Sequence, residues 1–177
     1  MNTANKLTVF RIILIPFFVL FMLTDFTDYN RLIALIIFIA ASVTDQLDGH
    51  IARKYNMVTS FGKFMDPIAD KLLVSSALIC LTSLNELPAW VVIVIILREF
   101  AISGLRLVAA ENGSVIAAAG WGKAKTAAQM TMIIIMLLNI PQLHILSVVS
   151  MYVAVILTLI SLIDYLVKNK DTFIMDK

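Results

Sequence analysis

The sequence predicts an all-α, polytopic integral membrane protein with six transmembrane helices, because its composition is strongly apolar and its apolar residues fall in six long stretches. Hydrophobic residues make up 60% of the 177 residues, charged residues make up 15%, and the mean hydropathy is +0.94. An average soluble domain is about 45–50% apolar and about 25% charged, so a soluble fold of this size would lack polar surface. We expect one membrane-embedded domain over residues 1–177.

The six predicted helices are separated by short segments rich in turn and helix-start residues. Four of the five breaks fall at 25–30, 85–88, 112–114 and 139–141, where Asp, Asn, Gly and Pro are concentrated. Each apolar stretch has about the length needed to cross ~30 Å of hydrocarbon at ~1.5 Å per residue. The stretches are 7–23, 32–53, 67–84, 88–110, 121–140 and 143–167.

Lysine and arginine are distributed unevenly between the two ends of these helices. If the N-terminus is cytoplasmic, the outer loops contain only Arg31 of the 14 lysines and arginines, and the other 13 fall toward the inside. Cytoplasmic loops of membrane proteins carry such an excess of cations. We therefore expect a multi-pass protein of the cell (plasma) membrane with both termini in the cytoplasm.

The net charge argues against a nucleic-acid-binding protein, and the cysteine content excludes an intrachain disulfide. The net charge of +2 is small and the cations are spread over short loops and helix ends, so a nucleic-acid partner is not expected. Cys80 is the single cysteine and lies in an apolar stretch, which excludes an intrachain disulfide and indicates a small core residue.

Four aspartates cluster at two neighbouring helix ends. Asp45 and Asp48 are three residues apart near the end of the second predicted helix, and Asp66 and Asp70 are four apart where the third begins. Residues at these spacings share a helix face, so two opposed faces would bring four carboxylates together. Counting ~1.5 Å per residue from Arg31 puts Asp45 about 20 Å along its helix, within the cytoplasmic half of the bilayer. Ionisable groups at that depth usually mark a functional path.

These carboxylates predict a metal site that faces the cytoplasm. Four acids packed together repel one another unless cations neutralise them, and bound divalent metal is the simplest remedy. All-oxygen ligation favours Mg²⁺ or Mn²⁺, and two such ions can clamp a pyrophosphate and stabilise its leaving oxygen. Solvated helix-end caps are the alternative, but they do not explain why four acids lie on two adjacent helix ends.

The segment from Asp45 to Asp70 resembles the signature of the CDP-alcohol phosphotransferase family. It reads Asp-x-x-Asp-Gly-x-x-Ala-Arg, then eight residues, then Gly-x-x-x-Asp-x-x-x-Asp, with no departure at the fixed positions. Fixed spacing over so many positions is far more specific than a lone glycine motif. The resemblance covers essentially the whole chain. It implies six membrane helices, commonly in a homodimer, and transfer of a phosphatidyl group from a CDP-activated lipid to a small alcohol.

By this resemblance, Asp45, Asp48 and Asp66 are metal ligands, and Asp70 both lies near the metals and acts as the catalytic base. An alcohol must lose a proton as it attacks phosphorus, and a carboxylate within hydrogen-bond reach can accept that proton. The implied mechanism is a direct in-line displacement in which CMP leaves, with no covalent intermediate.

Five further residues are predicted to bind the CDP-lipid. Gly49 allows the nucleotide to approach the helix backbone, and Arg53 can donate to the phosphates unless it is simply an exposed helix-end arginine. Residues 5–11 resemble the family's Asn-x-Leu-Thr-x-x-Arg opening, which lies at the nucleotide, although Ala4 replaces a proline commonly seen before that asparagine. Helix capping is an alternative explanation for Asn5 and Thr8, and an ordinary turn is the alternative for Gly62. The set is Asn5, Thr8, Gly49, Arg53 and Gly62.

Arg98 is the one cation predicted to lie near the middle of the membrane. It is about 15 Å along its helix from Pro88, where an unpaired guanidinium would be costly. Glu99 is adjacent in sequence but about 100° away around the helix. We therefore expect its partner to be an aspartate on another helix or an anionic substrate, with a structural ion pair as the alternative.

Residues 98–106 and 122–129 resemble the phosphatidylglycerophosphate-forming branch of the same family. This resemblance implies that CDP-diacylglycerol is the donor, that sn-glycerol 3-phosphate is the acceptor, and that phosphatidylglycerophosphate and CMP are the products. Positive-inside anchoring is the alternative explanation for these cations. The residues predicted to bind the acceptor's phosphate are Arg98, Arg106, Lys123 and Lys125.

Two other readings of the sequence remain to be distinguished from this one. A sibling enzyme could use inositol phosphate, serine or phosphatidylglycerol as acceptor, and only the basic segments separate these choices. A divalent-cation transporter would also place acids in membrane helices, but its acids should extend across the bilayer. Here Asp25, Asp28 and Glu86 lie in predicted outer loops, and the buried acids cluster near one face.

Overall fold

The structure is a computed structural model that describes residues 3–54, 60–111 and 120–169, with the backbone alone for 3–6, 45–54, 60–64, 66–67 and 111. Over these residues the regular structure is helical throughout, so the all-α prediction is confirmed for them. The helices are α1 Thr3–Leu23, α2 Asn30–Lys54, α3 Ser60–Ser83, α4 Ala89–Glu111, α5 Gly120–Leu138 and α6 His144–Lys168, with a short 3-10 helix at Pro141–Leu143.

Contacts divide the chain into two compact units. The first comprises Met1–Glu86 with Leu137–Asn139, and the second comprises Leu87–Met136 with Ile140–Lys177. The predicted aspartate site falls in the first unit, and the predicted acceptor site falls in the second. A single domain over residues 1–177 stays a prediction.

Helix length and apolar content together support a membrane crossing for one part of the described chain. The segment Pro141–Lys168 is long and apolar enough, whereas Leu7–Leu23 and Asn30–Thr44 are apolar but shorter. The prediction of six membrane crossings therefore stays a prediction.

In the first unit, α1 packs against α2 and α3, and α2 also contacts α3. Phe18 of α1 and Phe38 of α2 are fully buried, and their ring centroids lie 5.8 Å apart. Leu73, Ala77 and Leu81 recur every fourth residue of α3, and all three are buried. This spacing forms an apolar stripe on one helix face, and each fully buried Leu or Phe contributes about 1.5–3 kcal/mol. This packing holds together α1 and the two helices that carry the aspartate motif, α2 and α3.

The helix α3 ends at an asparagine in the left-handed conformation. Asn85 has φ 57°, its N–H donates to the Thr82 carbonyl at 3.0 Å, and the Glu86 N–H donates to the Leu81 carbonyl at 3.0 Å. These two bonds form a Schellman motif, which satisfies carbonyls at a helix end, and Asn tolerates positive φ better than most residues. Asn139 ends α5 in the same conformation, with φ 48°.

Arg31, the single cation predicted on the outer side, has partners in other segments of the first unit. Its guanidinium forms a two-pronged ion pair with the Glu86 carboxylate, and its Nε donates to the Leu137 carbonyl at 3.2 Å. Such bidentate pairs are specific in geometry as well as favourable in energy. The pair joins the start of α2 to the segment that follows α3.

In the second unit, α4 packs against α6, and the core contains Val91, Ile95, Met132, Ile133 and Met151. The opposite side of α6 is apolar and exposed. Its exposed large residues include Ile145, Val149, Tyr152, Ile156, Ile163 and Val167. Contiguous apolar surface of this kind is rare on soluble monomers and is typical of surface that faces lipid or a partner.

Candidate active site

The aspartate motif lies on helical backbone in α2 and α3. Asp45 and Asp48 belong to α2, and Asp66 and Asp70 belong to α3, so both spacings fall within continuous helix as the sequence predicts. At ~1.5 Å per residue, the members of each pair are about 4.5–6 Å apart along one helix face. The side chains of Asp45, Asp48 and Asp66 lie outside the described part of the structure. Convergence of the four carboxylates therefore stays a prediction.

Chain connectivity limits how far the end of α2 and the start of α3 can be apart. Lys54 ends α2 and Ser60 begins α3, and six residues span at most about 20 Å. Since α2 also contacts α3, these two helix ends belong to one local region of the first unit. Asp70 is half-buried, and its neighbour Ala69 is fully buried.

On α1, Thr8 and Arg11 are both fully buried although both are polar. They are three residues apart and so share a helix face. Thr8 was predicted at the CDP-lipid site, whereas Arg11 was not, although it closes the Asn-x-Leu-Thr-x-x-Arg segment. For Asn5, Gly49, Arg53 and Gly62 the structure describes the helical backbone alone, so these assignments stay predictions.

In the second unit, Arg98 is 8% exposed and is held by two neighbours. Its Nη2 donates to the Ser161 hydroxyl of α6 at 2.5 Å, and its Nη1 lies 3.5 Å from Glu99 Oε1. The expectation that Glu99 points away from Arg98 was therefore wrong. The 100° offset separates the two Cβ directions, but long side chains with several rotatable bonds can bend toward each other.

Lys125 of α5 is also buried, at 2% exposure, and its ammonium forms an ion pair with Glu99. One carboxylate thus has two cationic neighbours, Arg98 and Lys125. A buried charge is tolerated only when it is paired, and Glu99 provides that pairing here.

Arg106 lies two turns beyond Arg98 on α4 and is exposed. Its guanidinium carbon is 5.7 Å from the ring centroid of Tyr165 on α6, a distance at which a cation is attracted to the aromatic face. Lys123 is exposed as well. The predicted acceptor cations therefore differ in setting, since two are buried and two are open to solvent or ligand.

Gly122 of α5 lies beside this group. A Cβ on Gly122 would be 3.8 Å from Arg98 Nη2 and 3.9 Å from Ser161 Oγ. By contrast, a Cβ at Gly104 or Gly120 would meet nothing within 4 Å. A Cβ at position 122 would thus be in ordinary van der Waals contact with the buried guanidinium, which places Gly122 next to Arg98 without crowding it.

Comparison with known proteins identifies the family. The model of the CDP-alcohol phosphatidyltransferase family matches residues 1–160. The chain belongs to this family. It is 47% identical to the CDP-diacylglycerol–glycerol-3-phosphate 3-phosphatidyltransferase of Bacillus subtilis, over 95% of each chain. It is 42% identical to the protein of the same description from Haemophilus influenzae, over 93% of this chain and 91% of the relative. A probable phosphatidylglycerophosphate synthase of Mycobacterium tuberculosis is 42% identical, over 94% of this chain and 81% of that protein.

The family predicted from the aspartate motif is thus confirmed.

This member of the CDP-alcohol phosphatidyltransferase family also has polar residues that were not among the predicted site residues. Glu99 is the clearest example. Thr158, Ser161 and Tyr165 are buried polar residues on the mainly apolar α6, spaced three and four apart. That helical spacing was a signal available in the sequence, since polar residues that recur on one face of an apolar helix indicate a buried polar contact.

Proposed function

We propose that the protein transfers the phosphatidyl group of CDP-diacylglycerol to sn-glycerol 3-phosphate, giving phosphatidylglycerophosphate and CMP in phospholipid biosynthesis. The observation that carries this proposal is the near-complete coverage of relatives whose names describe this reaction, at 47% and 42% identity. The buried and exposed cations of the second unit support a phosphorylated acceptor, because a phosphate can accept several charge-assisted hydrogen bonds.

The donor atoms of the aspartate motif fit a hard divalent cation. Two carboxylates on each of two contacting helices supply oxygen ligands alone, the set that Mg²⁺ and Mn²⁺ favour. We assign Asp45, Asp48, Asp66 and Asp70 as the ligands of two metal ions. When bound, the metal would neutralise the pyrophosphate of the CDP-lipid and stabilise the oxygen that leaves with CMP.

Asp70 is proposed as the base. It accepts the proton of the primary hydroxyl of the acceptor as that oxygen bonds to the phosphatidyl phosphorus. The bond from this phosphorus to the bridging oxygen breaks, and CMP leaves with that oxygen. The half-buried position of Asp70 is compatible with a group that must meet a substrate and yet be shielded from bulk water.

The CDP-lipid is assigned to the first unit and to the residues that the motif places there. Asn5, Thr8, Gly49, Arg53 and Gly62 are proposed to bind it, and the buried position of Thr8 supports a specific role in preference to a solvated helix cap. Arg11, fully buried one turn from Thr8, is added to this set.

The acceptor is assigned to the second unit. Arg106 and Lys123 are exposed and can bind its phosphate directly, whereas Arg98 and Lys125 are held against Glu99 and supply positive potential from below the surface. We further propose six membrane crossings in the plasma membrane, an active site that faces the cytoplasm, and assembly as a homodimer. The apolar exposed side of α6 supports contact with lipid.

The test is an assay of CMP release by the purified protein with CDP-diacylglycerol and Mg²⁺. The acceptors compared are sn-glycerol 3-phosphate, inositol phosphate, serine, glycerol and phosphatidylglycerol. We expect turnover with glycerol 3-phosphate and little with the unphosphorylated acceptors. Equal use of serine or glycerol would refute the acceptor assignment and leave the family untouched.

A variant series separates the two substrates in the same assay. Arg106→Ala should raise the KM for glycerol 3-phosphate about tenfold or more, since a lost charge-assisted bond costs about 1.5–3 kcal/mol, and should change the KM for CDP-diacylglycerol much less. Lys168→Ala, at an exposed cation near the end of α6, is the matched control. A larger effect of Arg106→Ala on the CDP-lipid would contradict the assignment.

A further inference from the structure

Tyr165 of α6 has a buried hydroxyl without a hydrogen-bond partner among the residues that the structure describes. The residue is 3% exposed, and its Oη makes no such bond within 3–54, 60–111 and 120–169. Buried tyrosine hydroxyls usually have a partner, because leaving the group unpaired in an apolar setting is costly. A buried donor that stays unpaired in a folded protein therefore calls for an explanation.

Two arginines lie against the same face of α6 as this hydroxyl. Arg98 donates to Ser161 Oγ at 2.5 Å, and Arg106 lies over the Tyr165 ring at 5.7 Å. Ser161 and Tyr165 are four residues apart, hence on consecutive turns of one face. The two guanidinium groups are thus brought to neighbouring turns although their own Cα atoms are about 12 Å apart along α4.

The Tyr165 hydroxyl and the two neighbouring guanidinium groups together suit an anion that has several acceptor oxygens. Arg98 Nε is a second buried donor without a partner among the described residues. Neighbouring guanidinium groups repel each other, and a doubly charged group between them would remove that repulsion while it accepts from the free donors. A phosphate monoester has this charge and three terminal oxygens.

We propose that Tyr165 is a recognition residue for the acceptor: its ring holds the Arg106 guanidinium, and its hydroxyl donates a hydrogen bond to the acceptor's phosphate. This inference rests on the proposed function, since it takes glycerol 3-phosphate as the phosphate monoester. Arg106 is exposed, so a phosphate can reach its guanidinium, and exposed side chains change rotamer within nanoseconds, so Arg106 can adjust as the phosphate bonds to the Tyr165 hydroxyl.

The proposal predicts opposite effects of one substitution on stability and on binding. Tyr165→Phe removes an unpaired hydroxyl and keeps the ring, so the free protein should be as stable as the wild type or more stable. The same change removes a donor from the bound phosphate, so the KM for glycerol 3-phosphate should rise. A residue with a purely structural role would lower stability and leave that KM unchanged.

The experiment compares Tyr165→Phe, Tyr165→Leu and the control Tyr152→Phe, which alters an exposed tyrosine on the same helix. For each purified variant, the thermal midpoint is measured in detergent, and kcat and both KM values are measured by CMP release. We expect Tyr165→Phe to raise the KM for glycerol 3-phosphate about tenfold, with kcat, the KM for CDP-diacylglycerol and the thermal midpoint unchanged or the midpoint higher. Tyr165→Leu should raise the same KM further, because the support for Arg106 is also lost.

Each other outcome has a definite meaning. An unchanged KM for glycerol 3-phosphate in Tyr165→Phe overturns the proposal, and so does a rise confined to the KM for CDP-diacylglycerol, which would assign the anion to the donor lipid. A similar effect of Tyr152→Phe overturns it as well, since the change would then be non-specific. If the wild type does not use glycerol 3-phosphate, the proposed function fails first and this inference fails with it.

Discussion

Glu99 is the acidic partner of two cations in the second unit, Arg98 and Lys125. Its side chain is 21% exposed, and that of Lys125 is 3% exposed. When one partner of a buried ion pair is removed, the other charge stays buried without compensation. The carboxylate is therefore expected to matter for folding as well as for the position of the cations.

Glu99→Gln should lower the free energy of unfolding by about 3 kcal/mol, because two cations lose their counter-charge. Thermal or denaturant unfolding of the detergent-solubilised protein measures this loss. Lys168→Gln breaks a pair in which the lysine is 61% exposed, and this change should cost less, about 1 kcal/mol at most. The double variant Glu99→Gln with Lys125→Met should recover part of the lost stability. No recovery would mean that Glu99 acts through something other than this pair.

The second prediction at the scale of residues concerns the aspartates of the motif. Asp48→Asn and Asp66→Asn keep the size of the side chain and remove its charge, so CMP release should fall by about 10²-fold or more and should no longer respond to added Mg²⁺. Asp70→Asn should lower kcat by about 10²–10⁴-fold with a smaller effect on nucleotide binding, if Asp70 is the base. Asp25→Asn, at an exposed acid of the α1–α2 connection, is the control. Turnover near that of the wild type in Asp48→Asn or Asp66→Asn would rule out the metal assignment.

At the scale of elements, the apolar stretches predicted where helices occur better than where they begin. The predicted stretch 143–167 corresponds closely to α6, whereas α3 begins at Ser60, seven residues before the predicted start at 67. Hydropathy reports which residues suit hydrocarbon, while a helix extends as far as its backbone hydrogen bonds do. The polar residues of the aspartate motif are therefore part of the α3 helix, although hydropathy does not mark them.

The left-handed conformation of Asn85 at the end of α3 leads to a prediction about the free energy of unfolding. Asn85→Ala should lower the free energy of unfolding by about 1 kcal/mol, because a Cβ without a local hydrogen-bonding group makes φ 57° costly, whereas Asn85→Gly should be neutral or stabilising. Unfolding measurements on the two variants test this difference. Ser83→Ala, on an exposed residue at the end of the same helix, should have little effect. Equal stability of the Ala and Gly variants would contradict the conformational explanation.

The candidate site could be predicted from the sequence where spacing along one helix decides it, and not where contacts between helices decide it. Asp45 and Asp48 lie in one helix, so their common face follows from their separation alone. The neighbours of Arg98, namely Ser161 and Glu99, depend on how α4 and α6 are rotated and on side-chain rotamers. Sequence separation contains no such information. The ion pair with Glu99 corresponds to the structural alternative for Arg98, and its contact with an anionic substrate stays a prediction.

At the scale of the whole molecule, topology can be tested directly. The Arg31–Glu86 pair requires that the start of α2 and the segment after α3 lie on the same side of any membrane, and the positive-inside rule predicts that this side is external. A cysteine at position 86, in a chain whose Cys80 has been replaced, should react with an impermeant thiol reagent in intact cells. A cysteine at position 114 should react only after the cells are broken. The reverse pattern would invert the predicted orientation.

The apolar exposed side of α6 affects how the reaction must be measured. We expect a protein with Ile145, Val149 and Ile156 exposed to reside in detergent micelles or bilayers, where a diacylglycerol-based substrate also resides. The two then meet within a surface, and the effective concentration of the lipid is its mole fraction in that surface. Diluting the lipid substrate with more detergent should slow the reaction at constant bulk concentration, whereas the water-soluble acceptor follows ordinary molarity. Kinetic constants for the two substrates therefore belong on different concentration scales.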